Sequence, residues 1–536
     1  MYVEGSYPTL TLPVCIGEGI KLLSFPPWKG GIKGGNLTCI NAINLYVMPA
    51  TSDIVQKLWN LCNVLRDDGV TYLQYVTELT YLLFLKMAQE TGAEKQLPEG
   101  YRWVDLVSKD GVEQLTFYRS LLLMLGSEDS SQRVQAIFAN AQTSLKQPRI
   151  LNKLVTSIDE LDWFSEHRDE FGDLYEGLLQ KNADEKKSGA GQYFTPRPLI
   201  DCMVALIKPQ PGELIQDPAA GTGGFLIAGD RYIRQHHDPF EWTEAQQSFQ
   251  QHQAFYGMEL VQDAHRLLLM NMMLHGIEGA VDLGDTLSPA GQRLAKADVI
   301  LTNPPFGTKK GGGLPSRDDF TFPTSNKQLA FLQHIYRSLK PGGRAAVVLP
   351  DNVLFEDGQG RAIRADLMNK CNLHTILRLP TGIFYAQGVK TNVLFFQRGT
   401  TEKGNTKAVW FYDMRTNMPS FGKRYPLTRE HFAEFEQCYG DDPNGNSPRV
   451  DLGEDGRFRC FTREYIEKRN ENLDISWLRD ESLQSGDNLP EPEVIAAEIM
   501  EKLRIATKEM EALMILLEGE EAAEAVSSSV GMPTLE

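Results

Sequence analysis

The chain has 536 residues, 42% of them hydrophobic and 23% charged. That globular composition argues against a disordered, collagen-like or fibrous protein and allows about two to four domains. The 54 Lys+Arg against 71 Asp+Glu leave a formal charge of -17, which weighs against a chain that grips nucleic acid through its own overall field.

Seven cysteines are scattered along the chain with no CxxC pair, so neither a disulfide framework nor a thiolate zinc site is expected, and a reducing cytoplasm fits. Met1–Pro8 carries no Lys or Arg, and Pro13 breaks the apolar stretch behind it, which makes a poor secretory signal. No uninterrupted apolar run approaches the ~18 residues that span a bilayer, so no membrane partner is expected.

In chain order, residues 1–47 are rich in Gly and Pro and show no sustained period. They read as an irregular extension, with Met48 as an alternative natural start. From Thr51 the texture changes: Ile54, Leu58, Leu61 and Leu65 fall at helical spacing, Asp68-Gly69 interrupts, and Tyr72, Val76, Leu79, Leu83 and Met87 resume. This predicts a helix pair opening a mainly helical domain over 48–170, with Leu115, Tyr118, Leu122 and Met124 as one apolar cluster.

After Lys187–Gly191 short apolar runs end in Gly, Asp or Asn and helices follow them. The predicted strands are Leu214–Gln216, Ala254–Tyr256, Asp298–Leu301, Arg344–Leu349, His374–Leu379, Asn392–Phe396 and Val409–Tyr412. Helices are predicted over Gln262–Met273 and Gln328–Leu339. The alternation gives the fold class as α/β, a doubly wound, mostly parallel sheet over 171–480 whose ligands bind at the carboxyl ends of the strands. Residues 439–457 read as loop. In the final stretch, 481–536, Ala496, Ile499, Leu503, Ala506, Met510, Leu513 and Leu517 repeat at 3 and 4, a heptad seam. Residues 491–536 hold eleven Glu and three Lys+Arg, hence -8. The seam packs on its own domain or meets a partner helix.

Two constellations carry chemistry. Asp217-Pro218-Ala219-Ala220-Gly221-Thr222-Gly223-Gly224-Phe225 stands where a strand turns into a helix, where glycines let the backbone approach a ligand and the helix amino terminus offers free N–H groups. The carboxylate ending the next strand, Glu259, can accept from two ribose hydroxyls. Asn303-Pro304-Pro305-Phe306 follows the apolar strand at 297–301: two prolines stiffen the turn and remove two donors, leaving the carbonyls and the Asn303 side-chain oxygen as acceptors for an amine, with the Phe306 ring as a π-face. The adjacent pair His236-His237 points apart on a helix and has no further ligand at metal spacing, so no metal site is expected. The loop Lys309–Gly313, with Arg317, either closes over nucleic-acid phosphates or is a solvated loop.

Together, Asp217–Phe225 and Asn303–Phe306 resemble the S-adenosylmethionine-dependent, amino-group DNA methyltransferases, in the motif order that places the methionine-site segment first. Gly191-Gln192-Tyr193-Phe194-Thr195-Pro196-Arg197 is similar to that leading segment. The likeness continues through Asn326-Lys327-Gln328, Pro341–Arg344 and Leu379–Tyr385. With the helix pair at 54–87, the chain resembles, over roughly residues 48–520, the modification (methylase) subunits of type I restriction-modification systems.

The resemblance implies a cofactor site for S-adenosyl-L-methionine built from Gln192, Tyr193, Phe194, Thr195, Pro196 and Arg197, from Asp217, Gly221, Thr222, Gly223 and Gly224, from Glu259 on the ribose and from Asp285 at the adenine amine. It implies catalysis by Asn303, Pro304, Pro305 and Phe306 on N6 of an adenine flipped from double-stranded DNA. It further implies a separate specificity subunit, a restriction subunit, two methylase subunits per specificity subunit, and a helical tail at 481–536 for subunit contact. Two alternatives are weighed beside it. Protein-glutamine methyltransferases share the Asn-Pro-Pro turn but are shorter and carry Tyr where this chain has Phe306. A catalytically silent assembly module would keep the fold, yet every catalytic position is intact here.

Overall fold

The computed structural model describes residues 11–15, 20–24, 57–58, 60, 72–161, 195–307, 313–384, 389–419, 421–422 and 425–479, and along the last helical stretch residues 494, 496–497, 499–501, 503–505 and 507. Two compact units result, Met1–Ala50 and Thr51–Glu536. In the first, β1 (Thr11–Cys15) and β2 (Ile20–Ser24) pair as an antiparallel hairpin. The expectation of an irregular extension is therefore corrected: two short apolar runs at strand length pair locally, although the Gly and Pro around them hide the pattern.

In the second unit, helices Tyr72–Thr91, Gly111–Leu125 and Pro148–Asp159 bury Leu79, Leu83, Tyr118, Leu122, Leu151 and Ile158 against one another. The predicted helical domain is thus built on the periodicity read from the sequence, except that Met124 is only partly buried while Leu121 and Leu125 are fully buried. Each fully buried Leu contributes on the order of 1.5–3 kcal/mol. Of the predicted helix at 54–65, only 57, 58 and 60 lie among the described residues; Leu58 is buried. Inside this bundle the Glu78 carboxylate accepts from the Tyr118 hydroxyl at 3.1 Å, the Thr143 hydroxyl at 2.9 Å and the Ser144 amide. Burial pushes its acidity toward the neutral form.

Among the described residues, nine strands form one sheet in the order β11-β10-β8-β9-β7-β6-β3-β4-β5. Their ranges are β3 Ile215–Asp217, β4 Phe255–Glu259, β5 Val281–Leu283, β6 Ala297–Thr302, β7 Leu339–Pro350, β8 Cys371–Arg378, β9 Thr391–Arg398, β10 Ala408–Asp413 and β11 Phe458–Thr462. From β5 across to β7 every pairing is parallel, whereas β9 runs antiparallel to both β7 and β8, and β11 antiparallel to β10. All seven predicted strands are present; β5 and β11 were not anticipated.

Successive residues of the central strands serve opposite faces. Val299, Leu301, Ala346 and Val348 join a core with helices Arg197–Ile207 and Gly224–His236. Ile300, Ala345, Val347 and Leu349 join another with helices Lys327–Ser338 and Gln359–Lys370. Strand order reverses between β3 and β6, and such a switch point opens a crevice at the carboxyl ends of the strands.

The helix Gln262–Leu274 belongs to two cores: Leu268 and Met272 pack on the sheet, while Leu267, Met270 and Met273 complete the helical domain. Arginines bridge the same joint in both directions. Arg266 donates to the carbonyls of Ile137 and Ala139 at 2.9 and 3.2 Å, and Arg133 donates to the carbonyls of Ile277 and Gly279. No helix among the described residues is long and apolar enough to cross a membrane.

Candidate active site at the strand switch point

The carboxyl ends of three neighbouring strands carry Asp217 (β3), Glu259 (β4) and, one residue past β6, Asn303. The register Gln216↔Ile300 and Asp217↔Gly257 brings them side by side. Close approach of β4 to β3 requires glycine at 257, because a Cβ there would lie 2.0 Å from the Asp217 carbonyl oxygen. Sequence reading missed this residue, whose signal is the lone Gly in Tyr256-Gly257-Met258-Glu259.

The turn after β3 is shaped by glycine conformations and by contact. Gly221 and Gly223 have φ of +54° and +87°, and a Cβ on Gly223 would meet Leu268 Cδ1 at 2.5 Å. The Gly221 amide donates to Glu259 Oε2 at 2.9 Å and the Val261 amide to Oε1 at 2.8 Å, so each carboxylate oxygen is oriented yet keeps a lone pair for a hydroxyl. From the far side, buried Asn271 donates through Nδ2 to the Thr222 carbonyl at 2.9 Å. The 224–236 helix starts at this turn with its amino terminus toward the crevice. Arg197 reaches over it, its Nη1 3.2 Å from where a Gly224 Cβ would stand.

Asp217 is buried, and that burial raises its carboxyl from 3.8 to about 7; the Ala219 amide, donating at 3.0 Å, works the other way. The Thr302 hydroxyl faces the same carboxyl without completing a well-formed hydrogen bond. Asp285, in the turn after β5, accepts from the Leu287 amide at 2.8 Å through Oδ1. Its neighbour Thr286 donates to the Pro218 carbonyl at 2.5 Å, which ties this turn to the glycine loop.

Asn303 donates through Nδ2 to the Thr195 hydroxyl at 3.0 Å, whereas its buried Oδ1 has no hydrogen-bond partner among the described residues. Thr195, expected as a cofactor residue, therefore also orients the amide. Pro304 is buried, and Phe306 is half-buried with its ring edge-on to Phe384, centroids 6.3 Å apart. Gly307, at φ +107°, ends the turn. In the orientation that satisfies both ends of its amide, Gln328 donates to the Gly307 carbonyl at 3.0 Å and accepts from the Gly307 amide at 2.7 Å. Asn326 caps the same helix, accepting from the Leu329 amide at 3.3 Å, and donates to Glu356 at 2.6 Å. The Asn326-Lys327-Gln328 likeness thus has a physical role, holding the turn that follows β6.

Of the predicted residues, Thr195, Pro196, Arg197, the 217–224 loop, Glu259, Asp285 and Asn303–Phe306 lie at this end of the sheet. Gln192, Tyr193 and Phe194 fall outside the described residues, as do Lys309, Lys310 and Tyr385. Arg317 is corrected: rather than standing free for DNA phosphates it is buried and paired with Asp319 at 2.6 Å. His236 is exposed and stacked on Tyr232. A cavity of about 640 Å³ beside Arg234, Phe240 and Trp242 lies at the other end of the 224–236 helix and gathers none of these groups.

A glycine loop without room for Cβ atoms, an anchored acceptor at Glu259 and a buried carboxyl at Asp217 fit S-adenosylmethionine, with its ribose diol and α-ammonium. The fold and site define a Rossmann-like, S-adenosylmethionine-dependent methyltransferase. A family profile described as N-6 DNA Methylase matches residues 166–484, and one described as HsdM N-terminal domain matches residues 54–158. The chain is 54% identical over 505 residues to the type I restriction enzyme EcoKI methylase subunit of Escherichia coli (strain K12), covering 86% of this chain and 95% of that protein. It is 54% identical over 504 residues, with the same coverage, to the StySJI methylase subunit of Salmonella typhimurium. Among solved structures, the EcoKI M protein superposes with a TM-score of 0.52 at 50% identity, over 87% of this chain and 96% of that one. A chain from a type I R-M system studied for complex assembly and conformational transition superposes with a TM-score of 0.63 at 29% identity, over 88% and 99%.

The chain belongs to the methylase subunits of type I restriction enzymes, and it is an adenine-specific DNA methyltransferase that uses S-adenosylmethionine. The protein-glutamine and silent-module alternatives are not favoured by these matches.

Proposed function

We propose that the crevice at the ends of β3, β4 and β6 transfers a methyl group to N6 of an adenine flipped from DNA, within a cytoplasmic complex that takes its sequence recognition from a specificity subunit. The observation that carries this reading is Asn303 Oδ1, buried and without a donor among the described residues: a buried carbonyl oxygen in that state costs about 1–3 kcal/mol, and an incoming amine supplies the donor.

In this reading Glu259 accepts from the ribose hydroxyls, Asp285 meets the adenine amine of the cofactor, and Asp217 and Arg197 hold the two charged ends of its methionine part. The cofactor supplies an electrophilic sulfonium methyl. Asn303 Oδ1 and the Pro304 carbonyl accept from the two N6 hydrogens, which favours a pyramidal nitrogen whose lone pair is no longer delocalised into the ring. Phe306, braced edge-on by Phe384, stacks on the flipped base. When bound, the cofactor would supply the methyl, its S–C bond giving way to the new N–C bond with the thioether as leaving group; the proton lost from the cationic nitrogen would pass to water, so no general base of high pKa is required.

The state of Asp217 gives a pH prediction. In the free protein its carboxyl titrates at about 7 instead of 3.8, so the neutral form is favoured and ionisation costs free energy as pH rises between those values. A bound ammonium favours the charged form. S-adenosylmethionine is expected to bind up to about eightfold more tightly at pH 7.5 than at pH 6, and Asp217→Asn should flatten that dependence in titration calorimetry.

Partner contact is assigned to the tail. The described seam positions Ala496, Ile499 and Leu503 are exposed, as is Met500, which supports the partner-helix reading over packing on the chain's own domain. Two methylase subunits per specificity subunit, with a restriction subunit for cleavage, complete the proposed assembly. Deleting residues 491–536 is expected to abolish association with the specificity subunit while leaving cofactor binding intact. Size-exclusion light scattering that still shows an assembled complex would remove the tail from the interface.

A further inference from the structure

Between the catalytic turn and the 327–338 helix the chain carries Arg317, 9% exposed. Its Nε and Nη2 donate to the two oxygens of Asp319 at 2.8 and 2.6 Å, and the Phe320 ring lies 4.4 Å from the guanidinium. Nη1 faces the cofactor side: it donates to the Thr286 carbonyl at 3.1 Å and to Nδ1 of His334 at 2.7 Å. Because Nδ1 receives that hydrogen, the neutral His334 ring carries its proton on Nε2, which meets Gln216 Oε1 at 3.3 Å. Thr286 passes the other arm on to the Pro218 carbonyl.

The two arms therefore end on Gln216 and Pro218, the residues on either side of Asp217. One of them also runs through the turn that holds Asp285.

We infer that Arg317 is a positioning residue of the cofactor site: it braces the end of β3 and the turn after β5 from the segment that returns from the catalytic turn. This rests on the cofactor site proposed above. A buried ion pair is often no more stable than a well-packed apolar group in its place, so a stability role does not account for an arginine with each of its three nitrogens engaged. A brace of this kind couples two places, and the coupling is reciprocal: cofactor binding should order 313–326, and releasing that segment should weaken cofactor binding.

The test uses the full chain with S-adenosylmethionine and three substitutions. Arg317→Met keeps volume but removes every donor, Arg317→Lys keeps the charge, and Thr286→Val cuts only the arm to Pro218. Cofactor affinity is read by calorimetry, and protection of 313–326 by amide hydrogen exchange with and without cofactor. In the wild type, cofactor should slow exchange across 313–326. In Arg317→Met that protection should vanish and affinity should fall at least about tenfold; Thr286→Val should lose affinity with its native circular dichroism intact, and Arg317→Lys should recover part of it.

Should Arg317→Met not fold, Thr286→Val decides alone. Wild-type affinity and persistent protection in the folded variants would overturn the brace. Glu259→Gln and Asp217→Asn serve as the reference: unchanged affinity there would overturn the cofactor site itself, whereas loss there with none in the Arg317 and Thr286 variants overturns the brace only.

Discussion

Asn303→Ala is expected to lower the methyl-transfer rate at least about 10³-fold, while S-adenosylmethionine affinity stays within about twofold of wild type. Removing one preorganised partner of the reacting group in a water-excluded site typically costs 10²–10³ in rate. Here the same side chain also fixes the turn, since its Nδ2 donates to Thr195 at 3.0 Å. Asn303→Asp keeps an acceptor in place, and the Thr195 hydroxyl can rotate to donate to it, so its loss should be smaller than that of alanine. Single-turnover methylation by the assembled complex gives the rate, and calorimetry on the same preparations gives the affinity. An alanine variant that loses affinity as much as rate would move Asn303 from catalysis to cofactor binding.

Gly257→Ala is expected to be the most damaging single change to stability. The added Cβ would stand 2.0 Å from the Asp217 carbonyl oxygen and 3.0 Å from its carbon. Both atoms are strand backbone, paired in register with Gly257 itself, so no flexible side chain can give way. Relief requires separating β3 from β4 at the strand switch point, and a loss of more than about 4 kcal/mol, with little folded product, is the expected result. Gly229→Ala supplies the contrast. That glycine lies in the 224–236 helix, and its nearest neighbours to a new Cβ are Phe255 and Ile215 side-chain atoms at 3.6 and 3.8 Å. Alanine there fills ordinary contact space and gains about 0.5–1 kcal/mol of helix preference. Thermal unfolding of the two variants side by side tests both statements; a Gly257→Ala protein melting with the wild type would refute the close-approach argument.

The parts of the fold that were legible in the sequence are those where one periodicity serves one environment. Strand β6 reads as Ala297-Asp298-Val299-Ile300-Leu301 because both of its faces are buried, and it ends on Thr302 and Asn303 because the chain there leaves the sheet for the crevice. The same logic located β3, β4 and the Asn-Pro-Pro-Phe turn, and with them the candidate site residues that the structure gathers at one end of the sheet. Strand β5 escaped because it is only three residues long with two of them exposed, too short for alternation to register. The antiparallel direction of β9 could not be read, since an apolar run buried on both faces looks the same in either direction.

The helix at 262–274 carried apolar residues nearly all round, and only the structure shows that its two faces belong to different cores. Arg317 was misread for a related reason: composition placed it beside Lys309, Lys310 and three glycines, whereas its partners Thr286 and His334 lie 31 and 17 positions away. The opening charge of -17 now has a narrower meaning. It sets aside a stand-alone electrostatic clamp on DNA, and it is compatible with a subunit whose target is delivered by others.

The most direct test of the central claim is the chemical identity of the methylated product. The complex reconstituted with its specificity subunit is given labelled S-adenosylmethionine and unmethylated DNA carrying its target, and the DNA is digested to nucleosides and resolved by mass spectrometry. The expected result is label in N6-methyldeoxyadenosine alone, absent with Asn303→Ala. Label in a methylated cytosine or in protein, or undiminished N6 label with Asn303→Ala, would contradict the assignment of this crevice as the site of adenine methylation.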